Sequence, residues 1–215
     1  MSSNLYIFSG LGTDHRVFQR VDFGEWNPKY IQWITPEKQE TIEQYALRLS
    51  KQIPEENPTI IGLSFGGMVA IEVSKLLNPK QLILLATAKT KQEIPWYYKA
   101  AGKMNLHRLL PLRFLTHSTT LSNWFFGTTD AFDRNLLKQI LLETNPVFLK
   151  WSIDQIVKWN NETLIENGTH IHGTNDRILP KQFVKADCSI ERGGHFMTVN
   201  KADEVSLLIQ QIIKS

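Results

Sequence analysis

Thr59-Ile60-Ile61-Gly62-Leu63-Ser64-Phe65-Gly66-Gly67-Met68-Val69-Ala70-Ile71 decides the reading of this chain. A short β-branched run leads into Gly62-Leu63-Ser64-Phe65-Gly66, a G-x-S-x-G pentapeptide, and an apolar run follows. That order reads as strand, sharp turn, buried helix. Such a turn lifts a serine hydroxyl out of a sheet onto a helix N-terminus, whose free N–H groups favour negative charge. The flanking glycines are expected for reasons of space, because a Cβ would strike the tightly folded backbone. A pentapeptide of this kind also occurs as a plain turn, so partners elsewhere in the chain must decide.

An acid and a base follow in order. Ile171-His172-Gly173-Thr174-Asn175-Asp176 and Glu191-Arg192-Gly193-Gly194-His195-Phe196 each place an apolar or β-branched run before a polar turn. A serine hydroxyl is a poor nucleophile until a base takes its proton, and a neutral imidazole does this near neutral pH. A carboxylate on the far side fixes the imidazole tautomer and stabilises the imidazolium as it forms. Ser64, Asp176 and His195 are therefore the candidate catalytic residues.

With these residues in hand, the chain resembles the α/β-hydrolase superfamily, whose chain order is serine, acid, histidine. The resemblance spans nearly the whole chain, from Phe8-Ser9-Gly10-Leu11-Gly12 to the Gly-Gly-His that ends at His195. It implies an oxyanion hole made by the backbone amides of Leu11 and Phe65. Relatives usually carry histidine where Ser9 stands, so the hydrogen bond that holds this loop must come from elsewhere. Two N-terminal strands common in larger relatives are missing.

Periodicity supplies the element order. Leu5–Phe8, Tyr30–Ile34, Thr59–Leu63 and Gln81–Ala86 read as strands, and His15–Val21 as a short helix. Thr41 and Gln44 fit a capping box for a helix with Ile42, Tyr45, Ala46, Leu49 and Ile53 on one face. The helix after Ser64 is apolar nearly all round and should be buried. Val205, Leu208, Ile209, Ile212 and Ile213 mark a final amphipathic helix. Strands alternating with helices imply an α/β fold: a doubly wound, mostly parallel sheet with helices on both faces.

Residues 89–161 break that rhythm, since connections usually run to about 4–6 residues plus a helix. Helical signals at Ala131–Glu143 and Pro146–Trp159 lie inside this stretch, with four of the six tryptophans. The expected organisation is a core of 1–88 and 162–215 with a helical lid at 89–161. Trp96, Trp124 and Phe125, in the clusters Trp96-Tyr97-Tyr98 and Trp124-Phe125-Phe126, are candidates for an apolar acyl-binding wall. Aromatics that only glue helices together are the competing reading.

The chain has 215 residues, 42% hydrophobic and 21% charged, with net charge +3. This suits one globular domain with an insertion. No concentrated basic run points to nucleic acid. The single Cys188 cannot close an internal disulfide, and reads as a small buried hydrophobe. No basic, apolar leader and no membrane span is visible, so a cytoplasmic address is expected. His170 and His172 share a strand face, but without a carboxylate or cysteine at ligand spacing no metal is expected. His15 follows the oxyanion loop but reads as a helix-start residue. His107, Arg108 and Arg113 read as a solvated lid face rather than a grip on an anionic tail.

The reading is a serine hydrolase of a small-molecule acyl substrate, most simply a carboxylic ester, needing no cofactor. Thioesters, lactones and C–C bonds stay open. A ligand receptor on the same fold, with slow or no turnover, is the alternative.

Overall fold

The computed structural model describes residues 3–109 and 116–214. Strands β1 (Asn4–Phe8), β2 (Asn27–Tyr30), β3 (Thr59–Leu63), β4 (Gln81–Leu85), β5 (Gly168–Gly173) and β6 (Cys188–Ile190) form a six-stranded sheet. Their order is β2-β1-β3-β4-β5-β6, and every pairing is parallel. The chain starts mid-sheet, steps out to β2, then returns past β1 to β3. The connections after β1 and β3 therefore leave in opposite directions, which opens a crevice at the carboxyl ends of those two strands. Ser9–Thr13 and Ser64 lie at that crevice.

The helices are α1 (Ile42–Ser50), α2 (Phe65–Leu77), α3 (Trp96–Lys103), α4 (Thr120–Phe126), α5 (Ala131–Glu143), α6 (Pro146–Lys158), α7 (Met197–Asn200) and α8 (Ala202–Lys214). Alternation along the strands sorts them into two layers. Tyr6, Phe8, Ile60, Leu82 and Leu84 face a core that includes Ile42, Tyr45 and Leu49 of α1 and Val69 and Val73 of α2. Leu5, Ile7, Ile61, Ile83 and Leu85 face the opposite core, with Val205, Ile209 and Ile213 of α8. The helical stretch between β4 and β5 joins both layers: Leu136, Leu137 and Ile140 of α5 enter one core, Phe148 of α6 the other.

Local chemistry explains several boundaries. Thr41 and Gln44 form the anticipated capping box at the start of α1, and β3 and α5 have the expected bounds. The second strand differs: it runs Asn27–Tyr30 rather than Tyr30–Ile34. Asn27 N–H donates to the Ser3 carbonyl and Ile31 N–H to that of Ile7, which sets the earlier register. Because β2 is an edge strand, Pro28 costs no central ladder bond. The expected short helix at His15–Val21 is a 3-10 turn over His15–Phe18. Leu76, near the end of α2, is half exposed where full burial was expected. Cys188 sits half-buried on edge strand β6, not deep in the core.

The turn after β3 is held by close backbone packing. Ser64 has φ 53° and ψ −123°, a left-handed conformation that costs a non-glycine residue about 1–3 kcal/mol. Ser64 N–H donates to the Leu85 carbonyl at 2.8 Å, and Thr87 Oγ1 donates to the Ser64 carbonyl at 2.7 Å. A Cβ on Gly66 would stand 2.0 Å from the Ser9 carbonyl oxygen, and one on Gly62 2.5 Å from the Gly67 Cα.

Strand β5 buries His170 and His172 completely. His172 Nε2–H donates to the Leu179 carbonyl at 2.8 Å. Neither ring nitrogen of His170 has a partner among the described residues. Burial first, and then the neighbouring His172 and Lys89, push the His170 pKa down to about 3. His172 is lowered too, again chiefly by burial.

Two outcomes follow for stability. Gly66→Ala should cost about 3 kcal/mol, because backbone rather than a flexible side chain blocks the new methyl. Urea unfolding measures it, and a loss under about 1 kcal/mol would show that the turn can shift away. The second concerns acid. His170 is neutral in the folded chain and protonates near its ordinary value of about 6.5 when unfolded. Its stability contribution is complete above that value and is lost as pH falls toward about 3. His170→Leu should flatten the stability profile between about pH 6 and 4 by up to about 1.4 kcal/mol per pH unit. Parallel wild-type and variant profiles would refute this.

Candidate active site

The loops after β1, β3, β5 and β6 meet at the carboxyl edge of the sheet. His195 Nε2 lies 2.8 Å from Ser64 Oγ, and His195 Nδ1 lies 2.7 Å from Asp176 Oδ2. A carboxylate can only accept, so Nδ1 carries the proton and Nε2 presents its lone pair to the serine hydroxyl. The three residues that the sequence places far apart thus form one hydrogen-bonded chain.

Asp176 is buried, and its other oxygen accepts the Ile178 and Leu179 N–H groups at 2.9 and 2.8 Å. Burial pushes its pKa upward. The charge and hydrogen bond of His195, the Leu179 N–H and His172 outweigh that, and the net is a carboxyl below its ordinary range. His172 therefore has a local role: its bond to the Leu179 carbonyl closes the turn that aims two amides at Asp176. No group of three or more His, Cys, Asp or Glu among the described residues is arranged to hold a metal ion.

His195 is held by its own loop and by the helical stretch between β4 and β5. Phe196 N–H donates to the Phe126 carbonyl at 3.0 Å, and the Asn200 amide donates to the Gly127 carbonyl at 2.8 Å. The Phe126 ring meets the His195 ring edge-on, with centroids 5.9 Å apart. A Cβ on Gly194 would stand a tight 3.2 Å from the Gly127 Cα, and Gly127 itself has φ 72°, which favours glycine there.

The loop after β1 is braced without the histidine that relatives carry. Ser9 Oγ donates to the Thr13 carbonyl at 2.7 Å and accepts the Trp33 indole N–H at 3.2 Å. Thr144 Oγ1, from the end of α5, contacts the Gly12 carbonyl at 3.2 Å. The N–H groups of Leu11 and Phe65 have no acceptor among the described residues. They remain free to receive a ligand oxygen.

A small cavity of about 70 Å³ opens beside Ser64 and His195. Phe65, Met68, Ile94, Pro95, Tyr98, Ile156, Ile178 and Leu179 supply most of its walls. A larger hollow, about 880 Å³, lies between the start of α1 and α6, and none of Ser64, Asp176 and His195 lines it.

Trp96, Trp124 and Phe125 are not among the cavity residues. Trp96 is 69% and Trp124 53% exposed, and Trp124 carries the Arg177 guanidinium over its ring. The two aromatic clusters do reach the site, through other members: Tyr98 at the cavity and Phe126 at His195. On a helix only part of a consecutive aromatic run can face inward, and neighbouring residues alone do not say which. Trp151 and Trp159 are structural, donating to the Glu40 carbonyl and to Glu72 Oε1. His15 is exposed against Tyr30. His107 and Arg108 are both paired with Asp154, and Arg113 lies outside the described residues.

No protein-family model and no curated protein sequence matches the chain. Solved structures do match. A hydrolase from Oleispira antarctica is 13% identical with TM-score 0.69, covering 100% of this chain and 92% of that one. An N-acyl homoserine lactonase complexed with N-butanoyl homoserine is 14% identical with TM-score 0.69, covering 100% and 89%. A thermophilic esterase from Thermogutta terrifontis is 16% identical with TM-score 0.66, covering 100% and 90%. The parallel sheet, the turn at Ser64 and these likenesses converge: the chain has the α/β-hydrolase fold.

Proposed function

We propose that this chain is a serine hydrolase acting on a small acyl substrate, most simply a carboxylic ester. The observation that carries the reading is the continuous relay from Ser64 Oγ through His195 to buried Asp176, at 2.8 and 2.7 Å. Hydrolytic relatives in fold, among them an esterase and a lactonase, support the same class.

In this reading Ser64 Oγ attacks the substrate carbonyl carbon while His195 Nε2 takes the hydroxyl proton. The carbonyl oxygen becomes an oxyanion and accepts the Leu11 and Phe65 N–H groups. One such donor is worth about 2.7–4 kcal/mol of barrier. The intermediate collapses, the C–O bond to the alcohol breaks, and His195 returns its proton to the leaving oxygen. Water then enters. His195 Nε2 removes a water proton, hydroxide adds to the acyl carbon, and the acid departs as Ser64 regains its proton. Asp176 stays ionised throughout and stabilises the imidazolium formed in each half-reaction. Ile94, Pro95, Tyr98 and Ile156 from the stretch between β4 and β5 make the acyl side of the site mostly apolar.

Ser64→Ala should abolish turnover of a chromogenic ester and covalent labelling by a fluorophosphonate, with thermal unfolding unchanged. Hydrolysis retained by the purified variant would overturn the assignment. Asp176→Asn should lower kcat by about 10⁴, because an amide removes the charge and favours the wrong tautomer. A fall of less than tenfold would point to a different acid.

A further inference from the structure

We propose that the small cavity beside Ser64 is an acyl-binding pocket that restricts the enzyme to short, uncharged acyl chains, from acetyl to butanoyl. This deepens the serine hydrolase reading and rests on it. Ser64 and His195 both border the cavity. An acyl carbon bonded to Ser64 Oγ therefore has its substituent beside this space.

Size sets the length limit. The cavity measures about 70 Å³. Sites for drug-sized ligands run to about 300–1,000 Å³. The space is several-fold smaller than such a site, so it suits a short acyl chain rather than a long one. Each methylene that fits should raise kcat/KM by about fourfold through burial. A methylene beyond the capacity meets packed walls, and the gain turns into a loss.

Wall chemistry sets the substituent limit. Besides Ser64, the two hydroxyl groups at the cavity already donate elsewhere. Thr87 Oγ1 donates to the Ser64 carbonyl at 2.7 Å, and Tyr98 OH donates to the Ile178 carbonyl at 2.9 Å. Burial pushes the Tyr98 pKa up to about 12, so it remains a donor at neutral pH. Met68, Ile94, Ile156 and Leu179 offer only hydrocarbon and sulfur. A carboxylate on the acyl chain, which can only accept, would lose water without gaining a donor.

The walls are also fixed. The Tyr98 bond ties α3 to the loop after Asp176, and Ile94, Met68 and Leu179 are buried. Ile156 of α6 is only half-buried, so it is the wall residue whose replacement least endangers the fold. It serves as the length gauge in the test.

The test compares kcat/KM for p-nitrophenyl esters of two, four, six, eight and ten carbons, in wild type, Ile156→Ala and Ile156→Phe. Wild type should peak at two to four carbons and fall at least tenfold by eight. Ile156→Ala should move the peak to longer chains, and Ile156→Phe should favour acetyl over butanoyl more than wild type does. The butanoyl ester should exceed the hemisuccinyl ester, whose chain ends in a carboxylate, by about tenfold or more. A wild-type peak at eight carbons or beyond overturns the pocket assignment. So do superimposable profiles for both variants with unchanged unfolding temperatures. Ser64-dependent fluorophosphonate labelling separates the two levels. Labelling with a long-chain preference removes only the pocket. No labelling, with no ester turned over, removes the hydrolase reading and the pocket together.

Discussion

The site depends on one contact: the backbone of Gly66 lies directly on the Phe8 and Ser9 carbonyls, where a Cβ would come within 2.0 Å. That contact joins the start of α2 to the end of β1. It brings the loop bearing Leu11 beside the loop bearing Phe65, so two free N–H groups can share one small region. The same compression forces Ser64 into a left-handed backbone conformation. Strain of about 1–3 kcal/mol is small beside the burial of β3 and α2, each apolar side chain of which contributes about 1.5–3 kcal/mol. The sheet can hold the serine in a posture the serine itself disfavours.

The second constraint is electrostatic. Asp176 is a buried carboxylate, and an isolated buried charge is costly. Two backbone N–H groups and the His195 N–H give it three donors, enough to keep it ionised. The neighbouring histidines help by staying neutral. A protonated His170 or His172 behind Asp176 would compete with His195 for its charge. Burial lowers both. The imidazolium that the carboxylate can stabilise is thus the one beside Ser64.

Much of this was legible in the sequence because it rests on local rules. The strand–turn–helix around Ser64, the capping box at Thr41 and the chain order of Ser64, Asp176 and His195 all lie in short windows. What depends on tertiary placement was not legible. Tyr30–Ile34 alternates like a strand, yet pairing with β1 selects Asn27–Tyr30, and Ile31 joins the core beyond it. The aromatic clusters reach the site through Tyr98 and Phe126, which neighbouring residues alone did not reveal, since rotation about a helix axis is set by packing. Ser9 could be seen to lack the usual histidine, but its replacement bond needed Trp33, which is 24 residues away.

The stretch between β4 and β5 carries the last step. It touches three of the four loops that bear the site. Thr144 meets the Gly12 carbonyl, Tyr98 the Ile178 carbonyl, and the Phe126 carbonyl accepts Phe196 N–H. It also buries Leu136, Leu137 and Ile140 in the main core. Lifting it away as one body would break these bonds and also those of Trp151 to the Glu40 carbonyl, Trp159 to Glu72 and Asn200 to the Gly127 carbonyl, about 0.5–1.5 kcal/mol each, and expose Leu136, Leu137 and Ile140, about 1.5–3 kcal/mol each. That comes to at least about 8 kcal/mol, comparable with the whole stability of a typical domain at about 5–15 kcal/mol. A stretch anchored this firmly stays in place beside the cavity that borders Ser64 and His195.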